Sequence, residues 1–200
     1  LPFNNSSGRP TGKQIKTPLV KRLASWATGI VSDSTQPHII LLVGGPGNGK
    51  TDAIEGCIYS LEHALGENCG LVEKFEEAYH VEGASVPPRK VSVSTVTLDL
   101  DSNKIPFTEI CLVQDATEGD VSSGLSAEVL LLDDLQEALT SEGNGLYLCC
   151  VNRGILASAA RQASEDPKYE LLSSVISMVT ETVTNKPDAP ASWPLEEYPE

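Results

Sequence analysis

The feature that most constrains the fold of this chain is the octapeptide Gly-Gly-Pro-Gly-Asn-Gly-Lys-Thr at residues 44–51. It fits the pattern G-x-x-x-x-G-K-[ST] at every fixed position. A mostly apolar run, His38–Val43, precedes it, and a segment with helical spacing, residues 51–64, follows it. A short apolar run that ends in glycine is typical of a buried parallel strand. The sequence therefore predicts a strand, a tight loop and a helix, in that order.

The residue types of this glycine-rich motif (residues 44–51) suit a bound anion. Glycines allow backbone N–H groups to turn inward and close on phosphate oxygens, which side chains would obstruct. The N-terminus of the following helix offers further N–H groups and a positive dipole end. Lys50 can reach the β- and γ-phosphates of a nucleotide, and the Thr51 hydroxyl can ligate Mg²⁺. The predicted nucleotide-binding residues are Gly44, Gly45, Pro46, Gly47, Asn48, Gly49, Lys50, Thr51 and Asp52.

Composition limits the class of protein. Two hundred residues suit one α/β domain, and a hydrophobic content of 40% is ordinary for a globular chain. No apolar run approaches the roughly 20 residues of a membrane span. The net charge is −14, although residues 1–22 hold five Lys or Arg and no acid. The acidic body argues against broad nucleic-acid binding, while the basic arm can touch an acidic neighbour or stay solvated.

The five cysteines are odd in number and lack the spacing of metal ligands. Cys149 and Cys150 are adjacent in an apolar run, so their side chains should point to opposite faces of a strand. We expect buried, reduced thiols and hence a cytoplasmic protein. The chain starts without an initiator Met or a signal-peptide pattern, and we expect it to be a piece of a longer protein.

Composition and periodicity divide the chain into three segments. Residues 1–16 predict a flexible basic arm. Residues 17–184 alternate apolar strands with helical patterns and predict a single nucleotide-binding domain. Residues 185–200 contain four prolines and four acids and predict a linker or an extended edge.

Within the middle segment, the patterns predict an α/β fold of three layers, α/β/α, with a mainly parallel sheet. Thr17 and Pro18 predict the N-cap and first residue of a helix. Further helices are predicted over residues 50–65, 71–81, 155–163 and 169–183, and a strand over residues 145–151. Residues 91–100, with a phase slip near Ser94 that suggests a bulge, and residues 107–113 predict two strands, which can form a hairpin inserted at one side of the sheet.

A second chemical landmark is Val129–Asp134, four apolar residues followed by two carboxylates. It predicts a strand buried between two helix layers, with the carboxylates at its C-terminal end. Asp133 can then hold the Mg²⁺ shell, and Asp134 can orient or deprotonate an attacking water. Asp134 can also cap a helix over residues 135–140.

The predicted strand 145–151 ends in Asn152 and Arg153. If this strand neighbours the one before the glycine-rich motif, Asn152 lies beside the γ-phosphate and can bond the attacking water or a γ-oxygen. Arg153 is equally consistent with a phosphate contact and with a surface residue. The predicted catalytic residues are Lys50, Asp134 and Asn152, and the predicted metal ligands are Thr51 and Asp133.

The order of glycine-rich motif, carboxylate pair and strand-end asparagine resembles the AAA+ branch of P-loop ATPases. Residues 44–51 resemble its proline-bearing Walker A loop, Val129–Asp134 its Walker B motif, and Asn152 its sensor 1 position. By order of elements, the resemblance covers residues 17–180. It implies a P-loop NTPase fold, ATP and Mg²⁺ as cofactors, and function in a ring or cluster of subunits.

The chain departs from that family in two respects. An Asp-Asp pair replaces the usual Asp-Glu, which is closer to the STAND class of signalling NTPases, and no lid with a sensor 2 arginine follows. The run 151–156 is also similar to ATPase components of bacterial restriction and phage-defence systems.

Two other interpretations are less well supported. Asn185–Asp188 spells the guanine-reading N-K-x-D of GTPases, but it follows a helix-patterned segment, and the D-x-x-G motif is missing. A small-molecule kinase would need an arginine-rich lid, whereas few arginines follow the motif. We therefore predict a Mg²⁺-dependent ATPase module that drives conformational change in a larger assembly. Its expected partners are further copies of the chain or other proteins, and no membrane is expected among them. The alternative is a nucleotide-gated interaction switch with little turnover.

Overall fold

The computed structural model of the chain describes residues 16–33, 35–66, 69–80, 87–100, 105–119, 124–140 and 145–183. Six α-helices occur in these ranges: α1 Pro18–Ile30, α2 Lys50–Leu65, α3 Leu71–Tyr79, α4 Ala127–Thr140, α5 Arg153–Glu165 and α6 Glu170–Val183. The strands are β1 Ile39–Val43, β2 Lys90–Ser94, β3 Glu109–Val113 and β4 Gly145–Val151. Short 3-10 turns follow β2 (Thr95–Thr97) and precede α6 (Pro167–Tyr169).

The four strands form one mixed, mostly parallel sheet in the order β1-β4-β3-β2. Strand β4 runs parallel to both of its neighbours, whereas β2 pairs antiparallel with β3 at one edge. Strand β4, the last strand of the described residues, thus lies between β1 and β3. In open α/β sheets, ligands bind at the C-terminal ends of strands where the chain order changes direction in this way.

Helices cover both faces of the sheet. Strand side chains alternate between two apolar clusters, as the pleat of a strand requires. One cluster includes α1, α2 and α3, and the other includes α4, α5 and α6. The chain is therefore an α/β fold whose layers are compatible with the predicted α/β/α arrangement.

Local sequence signals account for several element ends. The Thr17 side chain accepts a 3.2 Å hydrogen bond from the backbone N–H of Val20 and caps α1, with Pro18 as its first residue. Helix α2 ends at Leu65, and the residue that caps it is Gly66, whose φ of 143° favours glycine. The predicted bounds of β4 and of α2 are confirmed.

The predicted hairpin is confirmed as an antiparallel pair but not as an insertion. Strand β2 stops at Ser94, and the 3-10 turn begins at the point where the sequence changes phase. Its partner β3 lies in the interior of the main sheet, between β2 and β4. The two hairpin strands are thus members of the main four-stranded sheet.

The predicted strand over Val129–Asp134 is wrong, because these residues lie inside α4. The buried residues Ala127, Leu131 and Leu135 recur every four positions, which is the spacing of one helix face. Four consecutive apolar residues are compatible with either a buried strand or a buried helix segment, so the run alone does not decide between them.

Other predictions fall outside the described residues. They concern most of the basic arm and the segment 185–200, including Asn185–Asp188. Helix α3 ends at Tyr79, two residues before its predicted end. No helix within the described ranges has the length and apolar character needed to cross a membrane.

Candidate functional site

The glycine-rich motif connects the end of β1 to the start of α2. Gly47 and Gly49 have φ angles of 74° and 72°, in the left-handed region that favours glycine. Gly49 is the N-cap of α2 and has no side chain with which to cap the helix. The first N–H groups of α2 therefore receive no hydrogen bond from an N-cap side chain. Gly44 is buried, residues 46–49 are exposed, and Thr51 and Asp52 are half-buried in the first turn of α2.

The Lys50 ammonium folds back over the motif. Its Nζ donates 2.9 Å hydrogen bonds to the carbonyl oxygens of both Gly44 and Gly45. A Cβ atom on Gly44 would come within 3.3 Å of the Asn48 side chain, so the turn has little room for a larger residue there. The motif therefore places one cation and a helix N-terminus around a small, side-chain-poor loop, as an anion site requires.

Two successive carbonyls at the end of β4 tie neighbouring segments to one edge of the sheet. The carbonyl of Val151 accepts a 3.1 Å hydrogen bond from the N–H of Gly44, at the start of the motif. The carbonyl of Cys150 accepts a 2.9 Å hydrogen bond from the N–H of Ala116, in the turn after β3. The motif and the turn after β3 are thus held on either side of the same strand end.

Asp115 is the carboxylate that this turn brings to the edge, and the sequence interpretation gave it no role. It is exposed, and its Oδ1 accepts a 2.9 Å hydrogen bond from the N–H of Thr117. Burial raises the pKa of the Cys150 thiol to about 12, and among smaller effects the Lys50 charge lowers it and the Asp115 charge raises it. Lys50 and Asp115 thus act with opposite sign on the same buried thiol.

The signal that could have identified Asp115 was present in the sequence. Residues 110–113 form an apolar run, and two positions later comes a carboxylate. The run at Val129–Asp134 has the more conspicuous pattern, because two adjacent carboxylates follow it directly. The structure assigns the sheet position to the earlier run.

Asn152 lies where the sequence predicts, directly after β4 at the same edge. Its Oδ1 accepts a 2.8 Å hydrogen bond from the N–H of Ile155 and caps α5. Arg153 is the first residue of α5 and is exposed. The structure thus brings Asn152 beside the motif and gives its side chain a capping role.

Asp134 is not part of this group. It is 8% exposed, and its carboxylate is paired with Nη1 of Arg89 at 2.7 Å and with Nζ of Lys90 at 3.1 Å. The hydroxyl of Tyr147, near the start of β4, approaches the same carboxylate at 3.5 Å. A water-activating role for Asp134 would require it to leave these two cations.

Asp133 faces a different neighbour, because adjacent residues of a helix point about 100° apart. Its carboxylate accepts hydrogen bonds from the ammonium of Lys168 and, at 2.7 Å, from the hydroxyl of Tyr169. Partial burial raises the pKa of Asp133, but the hydrogen bonds from Lys168 and Tyr169 outweigh it and leave the pKa below its ordinary value. Neither carboxylate of the predicted pair therefore stands at a strand end.

In the described part of the chain, no group of three or more His, Cys, Asp or Glu side chains forms a metal-binding cluster. Mg²⁺ in nucleotide sites commonly takes one or two protein oxygens, with phosphates and water supplying the rest. The Thr51 hydroxyl in the first turn of α2 fits that limited demand. Comparison of the chain with family models, with curated proteins and with solved structures finds no significant match.

Proposed function

We propose that this chain is a nucleotide-binding module that binds Mg²⁺–ATP in the glycine-rich motif and hydrolyses it. One observation carries the proposal. The motif, with Lys50 bonded to two of its carbonyls, is tied to the end of β4, which Asn152 follows and to which the turn that contains Asp115 is also bonded. A flexible cation, a helix N-terminus, a carboxylate and an amide at one sheet edge suit a phosphorylated ligand.

Phosphate binding would use groups that the protein already orders. Backbone N–H groups of the motif and of the first turn of α2 would bond phosphate oxygens. Lys50 would exchange its hydrogen bonds to Gly44 and Gly45 for bonds to the β- and γ-phosphates. Gly47 and Gly49 carry no side chain that could enter the space of the phosphates, and their left-handed φ angles favour glycine at both positions.

The metal would be held by the Thr51 hydroxyl, with phosphate oxygens and water completing its shell. When bound, Mg²⁺ neutralises charge on the phosphates. A hard cation of this kind needs oxygen ligands, and a half-buried hydroxyl at a helix N-terminus supplies one. The metal role first predicted for Asp133 is not proposed, because its carboxylate bonds Lys168 and Tyr169.

Hydrolysis would be an in-line attack of water on the γ-phosphorus, which breaks the bond to the β–γ bridging oxygen and releases ADP and phosphate. Asp115 would orient the attacking water and accept its proton, the task first predicted for Asp134. Asn152 would bond the water or a γ-oxygen. Lys50 and the motif N–H groups would stabilise the charge that develops on the transferred phosphoryl group.

A second candidate is a nucleotide-gated switch with little turnover. One observation favours it: Oδ1 of Asp115 already accepts a hydrogen bond from Thr117 within its own turn. That hydrogen bond occupies an acceptor site on the carboxylate, so a water at Oδ1 would have to share the oxygen with the Thr117 N–H. The larger assembly that such a module would serve, including a restriction or phage-defence complex, stays a prediction from the sequence.

Release of phosphate from Mg²⁺–ATP tests the proposal, measured over a range of protein concentrations. We expect release in the unmodified chain, and a rate rising faster than protein concentration would place part of the site in a second subunit. Asp115→Asn should keep ATP binding and lose turnover on the order of 100-fold. The matched control is Asp133→Asn, which should leave turnover unchanged. ATP binding without release in the unmodified chain would favour the switch, and normal turnover in Asp115→Asn would remove Asp115 from the mechanism.

A further inference from the structure

Strand β2 lies at one edge of the described sheet, where its one neighbouring strand is β3. Its residues, Lys90–Ser94, contain no proline, and their register with β3 runs without a bulge. The Lys90 ammonium lies 3.1 Å from the carboxylate of Asp134 and 2.7 Å from that of Glu137, both on α4, so this charge turns away from the edge. Strand β2 therefore lacks the proline, the bulge and the free charge with which natural edge strands prevent pairing.

The ladder with β3 shows which backbone groups of β2 face outward. The N–H of Thr95 donates a 2.8 Å hydrogen bond to the carbonyl of Thr108, and these two residues continue the register of the pair. Along an antiparallel ladder, residues bonded to the partner strand alternate with residues whose N–H and C=O groups point away from it. The backbone groups of Lys90, Ser92 and Ser94 therefore point to the open edge, where the side chains of Ser92 and Ser94 are exposed.

An exposed apolar side chain lies directly beyond the end of this edge. Val96, in the 3-10 turn after β2, is 86% exposed, more than any other large apolar residue in the described part of the chain. Pro87 and Pro88, which precede β2, are half-buried. A single exposed valine is ordinary, but this one stands next to a row of outward N–H and C=O groups. A further strand at this edge would cover both features.

We propose that β2 pairs with β2 of a second copy of the chain, antiparallel and across a two-fold axis at Ser92. The two Ser92 residues then exchange a pair of backbone hydrogen bonds, and Lys90 of each copy pairs with Ser94 of the other. Under the same axis, Val96 of each copy lies beside Pro88 of the other. Because the same patch serves both copies, the contact closes at the dimer.

The sequence of β2 favours this register over its alternatives. An axis at Ser92 uses all five residues of the strand and places a small hydroxyl side chain opposite itself. An axis at Lys90 would place two like charges opposite each other, which is destabilising. An axis at Ser94 would bring the 3-10 turn into the ladder. The outward groups of β2 are thus self-complementary about Ser92.

The expected association is weak. The Thr97 hydroxyl already donates a 2.7 Å hydrogen bond to the carbonyl of Ser94, so the outer bonds of the pair would be shared. Val91 and Val93 are already buried within each copy, so pairing removes little further apolar surface from water. Small interfaces of this kind belong to the weak class, and we expect a dissociation constant on the order of 10 to 100 µM. The inference does not depend on nucleotide binding.

Sedimentation velocity on the full chain tests the proposal, over concentrations from about 1 µM to about 1 mM. We expect a shift from monomer to dimer. Ser92→Pro removes one outward N–H from each copy without removing a bond to β3, and it should weaken dimerisation by at least about tenfold. Ser92→Thr keeps the N–H and the hydroxyl and is the matched control, which should associate as the unmodified chain does.

Amide hydrogen exchange in the unmodified chain provides a second measurement, which stands even if Ser92→Pro does not fold. We expect the Ser92 N–H to be protected at high protein concentration and to exchange freely at low concentration. The N–H of Val93 is the internal control. It faces β3 and should be protected at both concentrations.

Three results would overturn the proposal. The first is a chain that stays monomeric over the whole concentration range. The second is equal association of folded Ser92→Pro and Ser92→Thr, which would assign the contact to another surface. The third is exchange of the Ser92 N–H that does not change with protein concentration.

Discussion

The guanidinium of Arg89 donates a 2.7 Å hydrogen bond from Nη1 to Oδ2 of Asp134, joining the residue before β2 to the middle of α4. Lys90 adds a second cation at 3.1 Å from the same carboxylate. The side chains of Arg89 and Asp134 are 14% and 10% exposed, so both charges have lost most of their water. The pair attaches α4 to the edge of the sheet, and it gives Asp134 a structural role.

Removing the Asp134 carboxylate should therefore destabilise the fold. Asp134→Ala leaves Arg89 and Lys90 without their shared anion, and breaking a buried pair in this way costs about 3–5 kcal/mol. Asp133→Asn, at a more exposed pair on the next residue, should change stability little. Urea unfolding of the two variants makes the comparison. Equal midpoints would mean that the Arg89–Asp134 pair stabilises the fold no more than the exposed Lys168–Asp133 pair does.

The left-handed glycines of the motif make a second prediction. Gly49→Ala places a Cβ atom at a φ of 72°, which should cost about 1–2 kcal/mol of folding stability. Gly145→Ala is the matched control, because no heavy atom lies within 4 Å of its added Cβ and its φ lies outside the left-handed region. Thermal unfolding should separate the two variants. A Gly49→Ala protein as stable as Gly145→Ala would contradict the observed backbone of the motif.

Two substitutions of Asn152 can distinguish its capping role from its proposed role in hydrolysis. Asn152→Ala removes the acceptor for the Ile155 N–H and should destabilise α5 by about 1 kcal/mol. Asn152→Ser keeps a capping oxygen but shortens the reach toward a γ-phosphate. We expect Ser to restore stability in urea unfolding while phosphate release stays low in both variants. Full phosphate release in Asn152→Ser would limit Asn152 to capping.

Buried thiols should make the fold sensitive to alkali. Burial raises the pKa of Cys57, Cys149 and Cys150 from 9.0 to about 12 and that of Cys111 to about 11. The unfolded chain loses these protons first as pH rises. The contribution of these protonated thiols to the free energy of unfolding is thus fully present below about pH 9. It falls as the pH rises from there toward the pKa values of the folded state, by up to about 1.4 kcal/mol per pH unit for each thiol.

Unfolding in urea at about pH 8 and about pH 10, under reducing conditions, measures this loss. Cys57→Ala removes one titrating thiol and should make the decline shallower, whatever its effect on the stability at the lower pH. A stability that is flat between the two pH values would contradict the burial of the thiols.

Local signals were sufficient for much of the fold. Thr17 and Pro18 predict the start of α1, and Gly66 the end of α2, because caps depend on residues close in sequence. The helix over Val129–Asp134 was missed because an apolar run of four residues has no unique period. Tertiary contacts decide between helix and strand for this run. Strands β3 and β4 are already neighbours in the sheet, and Arg89 and Lys90 supply cations for Asp134.

The candidate site was predictable where its residues are contiguous and not where they come from separate strands. The glycine-rich motif and Asn152 follow from sequence, since each directly follows an apolar strand. Asp115 required the strand order, because only the pairing of β3 with β4 brings its turn to the end of β4. Carboxylates often follow apolar runs, so the sequence offers several candidates. The position of the run in the sheet shows which carboxylate lies at the edge with the motif.

Calorimetric titration of Mg²⁺–ATP tests the central claim most directly, on the unmodified chain and on Lys50→Ala, with GTP as a second ligand. The account predicts that the unmodified chain binds ATP with 1:1 stoichiometry and that Lys50→Ala weakens binding by at least about 100-fold, because a phosphate-bound cation is lost. It also predicts that ATP binds more tightly than GTP. Absence of ATP binding in the unmodified chain, or equal affinity in Lys50→Ala, would contradict a nucleotide site at the glycine-rich motif.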